Sequence, residues 1–437
     1  MAAINSPSGF KTTHPSPSSM KQFALQIVSH LREAGFTALW AGGCVRDMLL
    51  GSTPHDYDVA TDATPNQVRK LFRRTLAVGA QFGVIEVLGD EPGLHVQVAT
   101  FRSDGSYSDG RHPDSVKYGT PQDDALRRDF TINGLFYDPL KEEVIDYVGG
   151  QADLKLRIVK AIGDPVQRIE EDKLRMLRAI RFVSRLAFDL DTKTADAIKM
   201  MHAHLKQVSA ERITEELKKM LIHKERLKAL HYLTQLKLLQ TLLTEFAWPT
   251  EITPDSPFEF RLVHNLPAEV SFPLAWAALL LDVQRQLRSS QLLLKSELHE
   301  SLGSHFRLSS AEIAHVEYLV LTLDVLREAH RLPWAQLKPI LAHPQRVDLL
   351  ALLDAGIQGL HWSREGHDYC LERLQHWSMD DLQPPALVTG QDVAELGIKP
   401  GPRFKELLDA VRNEQLNQTI TNRDQALELL KRLAATA

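Results

Sequence analysis

The 437-residue chain reads as an α+β protein, with a head built of a mixed sheet and helices followed by an all-helical remainder. Three observations predict this. Between residues 20 and 150, short apolar runs alternate with period two and are separated by Gly and Pro turns, the pattern of strands. After Gly150 the apolar residues recur at steps of three and four, the helical period, almost to the C-terminus. The length itself requires more than one core, because single hydrophobic cores stop growing at roughly 250–300 residues.

The elements follow in chain order. Residues 1–19, MAAINSPSGFKTTHPSPSS, are rich in Ser and Pro, lack the apolar stretch of a secretion signal, and are expected to form a disordered tail. The head spans 20–150. In it FTALWAGG is an apolar strand running into a Gly-Gly turn, and CVRDMLL after it reads as a helix. DYDVAT, GVIEVLG, LHVQVATFR and EVIDYVG are further strands. TPNQVRKLFR carries a Thr cap and a proline at the first helical position. Residues 151–215 form a helical neck, 216–380 a helical body and 381–437 a tail. The breaks lie near FAWPTEITPDSPFEF and HWSMDDLQPPALVTG. No fixed-period repeat supports a solenoid.

Composition narrows the partners. A net charge of −5 excludes a uniformly basic coat, so any polyanion must meet local basic patches. Such a patch exists: residues 151–185 hold nine basic side chains against five acidic ones. Cys44 and Cys370 make neither a disulfide framework nor a zinc spacing, which suits a reducing interior, and a cytoplasmic location is expected. No apolar run approaches the roughly 20 residues of a membrane span, so no membrane partner is expected.

The chemistry begins at LWAGGCVRDMLLGSTPHDYDVATD. Side chains at i and i+2 of a strand share a face, so Asp56 and Asp58 point together and repel unless a cation lies between them. Hard Mg²⁺, held by one or two carboxylates plus substrate phosphates, fits that pair. Two such ions roughly 3.5–4 Å apart would serve an in-line phosphoryl displacement. Bare backbone at Gly42 and Gly43 lets N–H groups close on phosphate oxygens, and Arg46 one turn later offers a forked donor. An isolated Gly-Gly or Asp-x-Asp is usually an ordinary turn or solvated loop. Their joint order here, strand, Gly-Gly, helix, Asp-x-Asp, is what carries the functional reading.

A second cluster, ALRRDFTINGLFYD, sets Arg127, Arg128 and Asp129 before an apolar run containing Asn133. Surface Arg-Asp pairs on a helix are the plain alternative. The functional reading places Arg128 on the nucleotide, with Asp129 and Asn133 as braces. A third, EEDKLRMLRAIRF, puts Asp172, Arg175, Arg178 and Arg181 at steps of three, one polar stripe if the whole segment is a helix. Glu171 with Arg175 also makes an ordinary i, i+4 pair. Cytosine and adenine each present an amino donor beside a ring-nitrogen acceptor, and an aspartate next to an arginine matches that order. Uracil and guanine present the reverse order and leave buried groups unpaired, at about 1–3 kcal/mol each. On this reading the pair would accept C and A and refuse U and G, with no nucleic-acid template required.

These segments together resemble the class II tRNA nucleotidyltransferases (CCA-adding enzymes) and their bacterial poly(A) polymerase relatives. GGCVRDMLLG…DYD is similar to the first family motif, RRDFTING to the second, DYVGG to the third and EDKLRMLR to the fourth. SAERITEELKKML is similar to the helix that follows, FRSDGSYSDGRHP to the family's loop, and the segment from LVTGQDVAEL onward to its tail domain. The resemblance implies a polymerase-β-like nucleotidyltransferase head, then neck, body and a tRNA-binding tail. It implies Asp56 and Asp58 as catalytic metal ligands, and Gly43, Arg46 and Arg128 on the nucleotide. Asp172 and Arg175 would read the base, with Arg178 and Arg181 near phosphates or primer. The implied reaction is addition of CCA to the tRNA 3′ end from CTP and ATP with Mg²⁺, releasing pyrophosphate.

Two positions depart from the family pattern. Gln97 stands where a glutamate is common, and Leu281 in AALLLDVQRQ replaces the histidine of an HD-type metal motif, so no phosphohydrolase activity is expected there. The His-Asp at 367–368 is isolated. Among alternatives, a poly(A) polymerase would carry an arginine-rich segment where LAVGAQFGVIEVLG stands. An enzyme adding only CC or only A stays open, with the full-length loop at 101–113 set against CC-only, since such enzymes tend to have a shortened one. A noncatalytic RNA-binding module would not need both aspartates.

Overall fold

The computed structural model describes residues 16–79, 83–105, 116–249, 258–287 and 295–435. The chain packs as two compact units, one of residues 1–220 with 228–243 and one of residues 221–227 with 244–437.

The first unit opens with α1 (Pro17–Glu33), capped by Ser16, whose hydroxyl accepts from the Ser19 N–H. This differs from the expected tail at 1–19. Ser16-Pro17 repeats the cap-then-proline signature, and Met20, Ala24, Ile27, Val28 and Leu31 bury one stripe, so the helix takes in residues 17–19. Residues 1–15 lie outside the described ones. Then follow β1 (Ala38–Ala41), α2 (Gly43–Leu49), β2 (Asp58–Thr61), α3 (Pro65–Leu71), β3 (Thr75–Gly79), β4 (Val84–Leu88) and β5 (His95–Thr100). A hairpin of β6 (Arg102–Asp104) and β7 (Val116–Tyr118) leads to α4 (Pro121–Leu126), β8 (Leu135–Asp138) and β9 (Glu143–Asp146). The loop between β6 and β7, part of the expected 101–113 element, falls at 106–115 outside the described residues.

Among the described residues the main sheet has the order β3-β4-β5-β2-β1-β8-β9. Only β2 and β5 pair in parallel there, with Asp58 opposite Gln97; the other pairs are antiparallel. Leu39, Ala41, Ala60, Phe101, Ala125 and Phe136 form a core against one face. DYDVAT begins its strand at Asp58 rather than Asp56, although the alternation continues: Tyr57 is buried between exposed Asp56 and Asp58. Tyr57 is held by an edge-on contact with Trp40 at 4.8 Å.

The unit continues with α5 (Gly150–Leu156), β10 (Ile158–Val159), α6 (Pro165–Glu171), α7 (Arg175–Leu186), β11 (Asp189–Leu190), α8 (Thr192–Met201), α9 (Ala210–Leu221), α10 (Arg226–Gln235) and α11 (Leu238–Leu242). A two-residue parallel pair, β10 with β11, is the exception to an otherwise helical segment.

The second unit is helical, from α12 (Arg261–His264) and α13 (Phe272–Gln286) to a C-terminal cluster around Val388, Val393, Leu407, Val411, Ala426 and Leu430. In α13, Leu281 has no ligating atom. Fully buried Asp282 spends its carboxylate on the N–H groups of Leu262 and Val263, capping α12, and burial pushes it up to about 6. His367 is buried against the Asp368 carboxylate at 3.2 Å. Among the described residues no helix is long and apolar enough to cross a membrane.

Candidate active site

The first unit holds a cavity of about 550 Å³ whose lining includes seven arginines and five aspartates. Every residue that the sequence assigned to the nucleotide or the metal reaches it: Gly43, Arg46, Asp56, Asp58, Arg128, Asp172, Arg175, Arg178 and Arg181.

The turn after β1 shapes one wall. Gly42 has φ 72° and ψ −122°, a conformation that disfavours any side chain, and its N–H donates to the Leu135 carbonyl at 2.9 Å. A Cβ there would lie 2.7 Å from Arg128 Nη1, whereas a Cβ on Gly43 would meet only Arg46 Nη2 at 3.7 Å. The steric demand on the protein itself thus falls on Gly42, while Gly43 opens the backbone toward the cavity. Gly42→Ala is expected to cost about 1–3 kcal/mol in backbone strain and to displace Arg128. Gly43→Ala should melt close to wild type, so any loss of nucleotide affinity in that variant reports close approach of phosphate. Thermal melts paired with ATP titrations of both variants check this.

A chain of hydrogen bonds ties the motifs together. Buried Arg46 donates through Nε and Nη2 to Asp47 Oδ1, and through Nη1 to Asn133 Oδ1 at 2.7 Å. Asn133 Nδ2 donates to Asp129 Oδ1 at 3.0 Å, and the Asp129 Oδ2 accepts from Arg178 Nε at 2.9 Å and Nη2 at 2.5 Å. Burial alone would raise the Asp129 carboxyl; Arg178 and Asn133 overturn that and take it down to about 2. In return Asp129 raises Arg178 above its ordinary value. Phe182 supplies a ring against which three guanidiniums sit, Arg181 at 4.4 Å, Arg46 at 5.3 Å and Arg178 at 5.6 Å. Arg181 Nε lies 2.6 Å from the buried Glu216 carboxylate of α9.

Asp58 is open to the cavity yet crowded by protein, and that desolvation raises its carboxyl, with Arg128 opposing and Asp56 adding to the rise. Two oxygen donors on one face, one of them resisting its own charge, make a donor set that a hard cation relieves. Gln97 lies beside Asp58 in register and brings an amide instead of a carboxylate. Glu86 follows on the next strand, with its carboxylate 3.5 Å from His95. Among the described residues no group of three or more His, Cys, Asp or Glu side chains gathers as a metal site.

The stripe expected on one helix is corrected at its first member. Asp172 follows α6 in extended backbone, φ −148° and ψ 105°, and α7 begins at Arg175. The reason is local: the Asp172 Oδ1 accepts from the Leu174 N–H at 3.1 Å, a capping bond that ends one helix and starts the next. Asp172 Oδ2 accepts from Arg212 Nη2 of α9 at 2.8 Å. Arg175 donates through Nη1 to Glu171 Oε2 and the Arg168 carbonyl, and through Nη2 to the Arg127 carbonyl. The i, i+4 pair with Glu171 therefore forms, and the arginine still faces the cavity.

Asp47, Asp124, Phe182, Arg212 and Glu216 escaped the sequence reading. Asp124 was findable, since it precedes Arg127 and Arg128 by three and four residues. Asp47 adjoins its partner Arg46, and Phe182 shares α7 with Arg178 and Arg181, whereas Arg212 and Glu216 find Asp172 and Arg181 across distant segments that nothing local marks.

The matching family models are described as "Poly A polymerase head domain", over residues 38–160, and "Probable RNA and SrmB- binding site of polymerase A", over 187–248. A CCA-adding enzyme of Pediococcus pentosaceus is 30% identical over 414 residues, covering 92% of this chain and 96% of that one. One of Bacillus subtilis is 33% identical over 351 residues, covering 77% and 86%. The crystal structure of the Bacillus stearothermophilus CCA-adding enzyme in complex with CTP superposes with a TM-score of 0.74 at 27% identity, covering 95% of this chain and 98% of that one.

Proposed function

Because this chain belongs to the family of CCA-adding enzymes, we propose that it completes the 3′ end of tRNA with C and A from CTP and ATP, releasing pyrophosphate and using no nucleic-acid template. The observation that carries this is one cavity lined by the Asp56–Asp58 pair, the arginines of three motifs, and the Asp172–Arg175 pair.

The chain's own groups divide the work. Gly43 presents backbone to the triphosphate, and Arg46, Arg128, Arg178 and Arg181 neutralise it with forked donors. Asp172 accepts from the exocyclic amino group of cytosine or adenine while Arg175 donates to the adjacent ring nitrogen. Arg212 and Glu171 hold that pair in place. Asp56 and Asp58 are the residues that would hold Mg²⁺; when bound, such ions activate an attacking hydroxyl and stabilise the leaving oxygen. The 3′-hydroxyl of the tRNA gives up its proton to water, its oxygen forms a bond to the α-phosphorus, and the bond from that phosphorus to the pyrophosphate oxygen breaks. The tail, residues 381–437, is read as the tRNA-binding end, and the reaction as cytoplasmic.

The test supplies tRNAs ending before CCA, after C and after CC, with each NTP singly and together. Three additions that then stop, with C and A accepted and U and G refused, are expected. Continuous A addition would favour a poly(A) polymerase, and addition to the CC-ended tRNA alone an A-adding enzyme. Asp172→Ala and Arg175→Ala should lose discrimination by about tenfold or more before they lose turnover, each unpaired group being worth about 1–3 kcal/mol. An unchanged C and A preference in both variants would refute the base-reading pair.

A further inference from the structure

Asp124 has no role in the chemistry described so far, yet it is only 1% exposed beside the cavity. It sits in α4, whose start is fixed by a capping box between Thr120 and Asp123. Each of its oxygens takes a different arginine. Oδ1 accepts from Arg127 Nε at 2.9 Å and Nη2 at 2.6 Å; Oδ2 accepts from Arg128 Nε at 3.1 Å and Nη2 at 2.9 Å. The remaining Arg128 nitrogen, Nη1, donates to the Asn133 carbonyl at 3.2 Å, and it is the same atom that a Cβ on Gly42 would strike. The Arg128 guanidinium also lies over the Phe136 ring at 5.1 Å. Its orientation is thus set by Asp124, the Asn133 carbonyl and the Phe136 ring, and among the described residues Asp124 is the carboxylate that hydrogen-bonds it. Burial would raise the Asp124 carboxyl, but Arg128 and Arg127 outweigh burial and hold it below the ordinary range.

We infer that Asp124 is a positioning residue for nucleotide binding: one buried carboxylate clamps two adjacent guanidiniums side-on and aims Arg128 at the triphosphate. The inference rests on the cavity being the nucleotide site. It makes a prediction opposite in sign to simple charge counting. Removing a negative charge beside a triphosphate site should, by Coulomb attraction alone, tighten ATP binding. Removing a clamp loosens it, because two neighbouring arginines repel and the forked donors lose their fixed direction.

Asp124→Asn keeps the shape, but its amide N–H₂ faces one guanidinium. ATP affinity, measured by calorimetry with Mg²⁺, is expected to fall about tenfold or more, the size of one lost charge-assisted hydrogen bond. Affinity for AMP and the preference for C and A over U and G should stay unchanged. In an Arg128→Gln background the same substitution should have little further effect on ATP, since Asp124 acts through Arg128. Asp124→Glu, which retains the charge on a longer arm, is the second variant should the first not fold, and it is expected to weaken ATP several-fold while sparing AMP. Unchanged or tighter ATP binding in a folded variant overturns the inference. So does a parallel loss of ATP and AMP affinity, which marks a merely structural role. Failure of the wild-type chain to bind any nucleotide would instead sink the reading of the cavity.

Discussion

Asp58→Ala is expected to reduce incorporation of label from [α-³²P]ATP into tRNA by about a thousandfold or more, the scale of several kcal/mol of lost transition-state stabilisation. The same substitution should not weaken the fold. Crowding at the cavity floor raises the Asp58 carboxyl, and Asp56 adds to that rise. A carboxyl raised in the folded state contributes stability while it is protonated, and that contribution is lost as pH rises through its folded pKa. Alanine removes the burial cost that raises this carboxyl, so the variant should keep a thermal midpoint equal to or higher than wild type. Mg²⁺ should raise the wild-type midpoint and leave that of Asp58→Ala unmoved. Incorporation that survives in Asp58→Ala or Asp56→Ala would end the assignment of these two residues as the metal pair.

Asp129→Ala should do the reverse and act first on stability. Its carboxylate joins Arg178 of α7 to Asn133, and through Asn133 to Arg46 of α2. Asp129 is buried and Arg178 about a third exposed, so solvent relieves part of the charge left behind, and removing the carboxylate with its hydrogen bonds is expected to cost about 1–3 kcal/mol. Urea unfolding at neutral pH measures that cost, and a change below about 1 kcal/mol, the worth of an exposed pair, would mean the pair is not the keystone. The pH dependence has a defined sign. Asp129 is depressed to about 2, so its contribution is fully present above the ordinary carboxylate range and is lost as pH falls from about 4 toward 2. Asp129→Asn should lack that acid-dependent component.

Much of this site was legible along the chain because its parts are local. Gly-Gly after an apolar strand, Asp-x-Asp at a period-two spacing and Thr-Pro at a helix start each depend on neighbouring residues only. Asp172 shows where local pattern misleads. Its spacing to Arg175 fits a helix, but its side chain bonds the Leu174 N–H and divides the segment into two helices. Asp282 is a second instance. In sequence it resembles part of a metal motif, but it caps α12 from twenty residues away, and no spacing rule reveals that partner.

By itself the sequence determined the α+β order, the carboxylate pair, the Gly-Gly turn and the arginine-rich segment after Gly150, because backbone periodicity and turn chemistry are written in adjacent residues. Only the tertiary structure decided which arginines are held and by what. Asp129 reaches Arg178 across 49 positions, Arg212 reaches Asp172 across 40, and Phe182 collects guanidiniums from both α2 and α7. A guanidinium recognises phosphate only when its fork is aimed, and the groups that aim it come together when the sheet and the helices pack around one cavity.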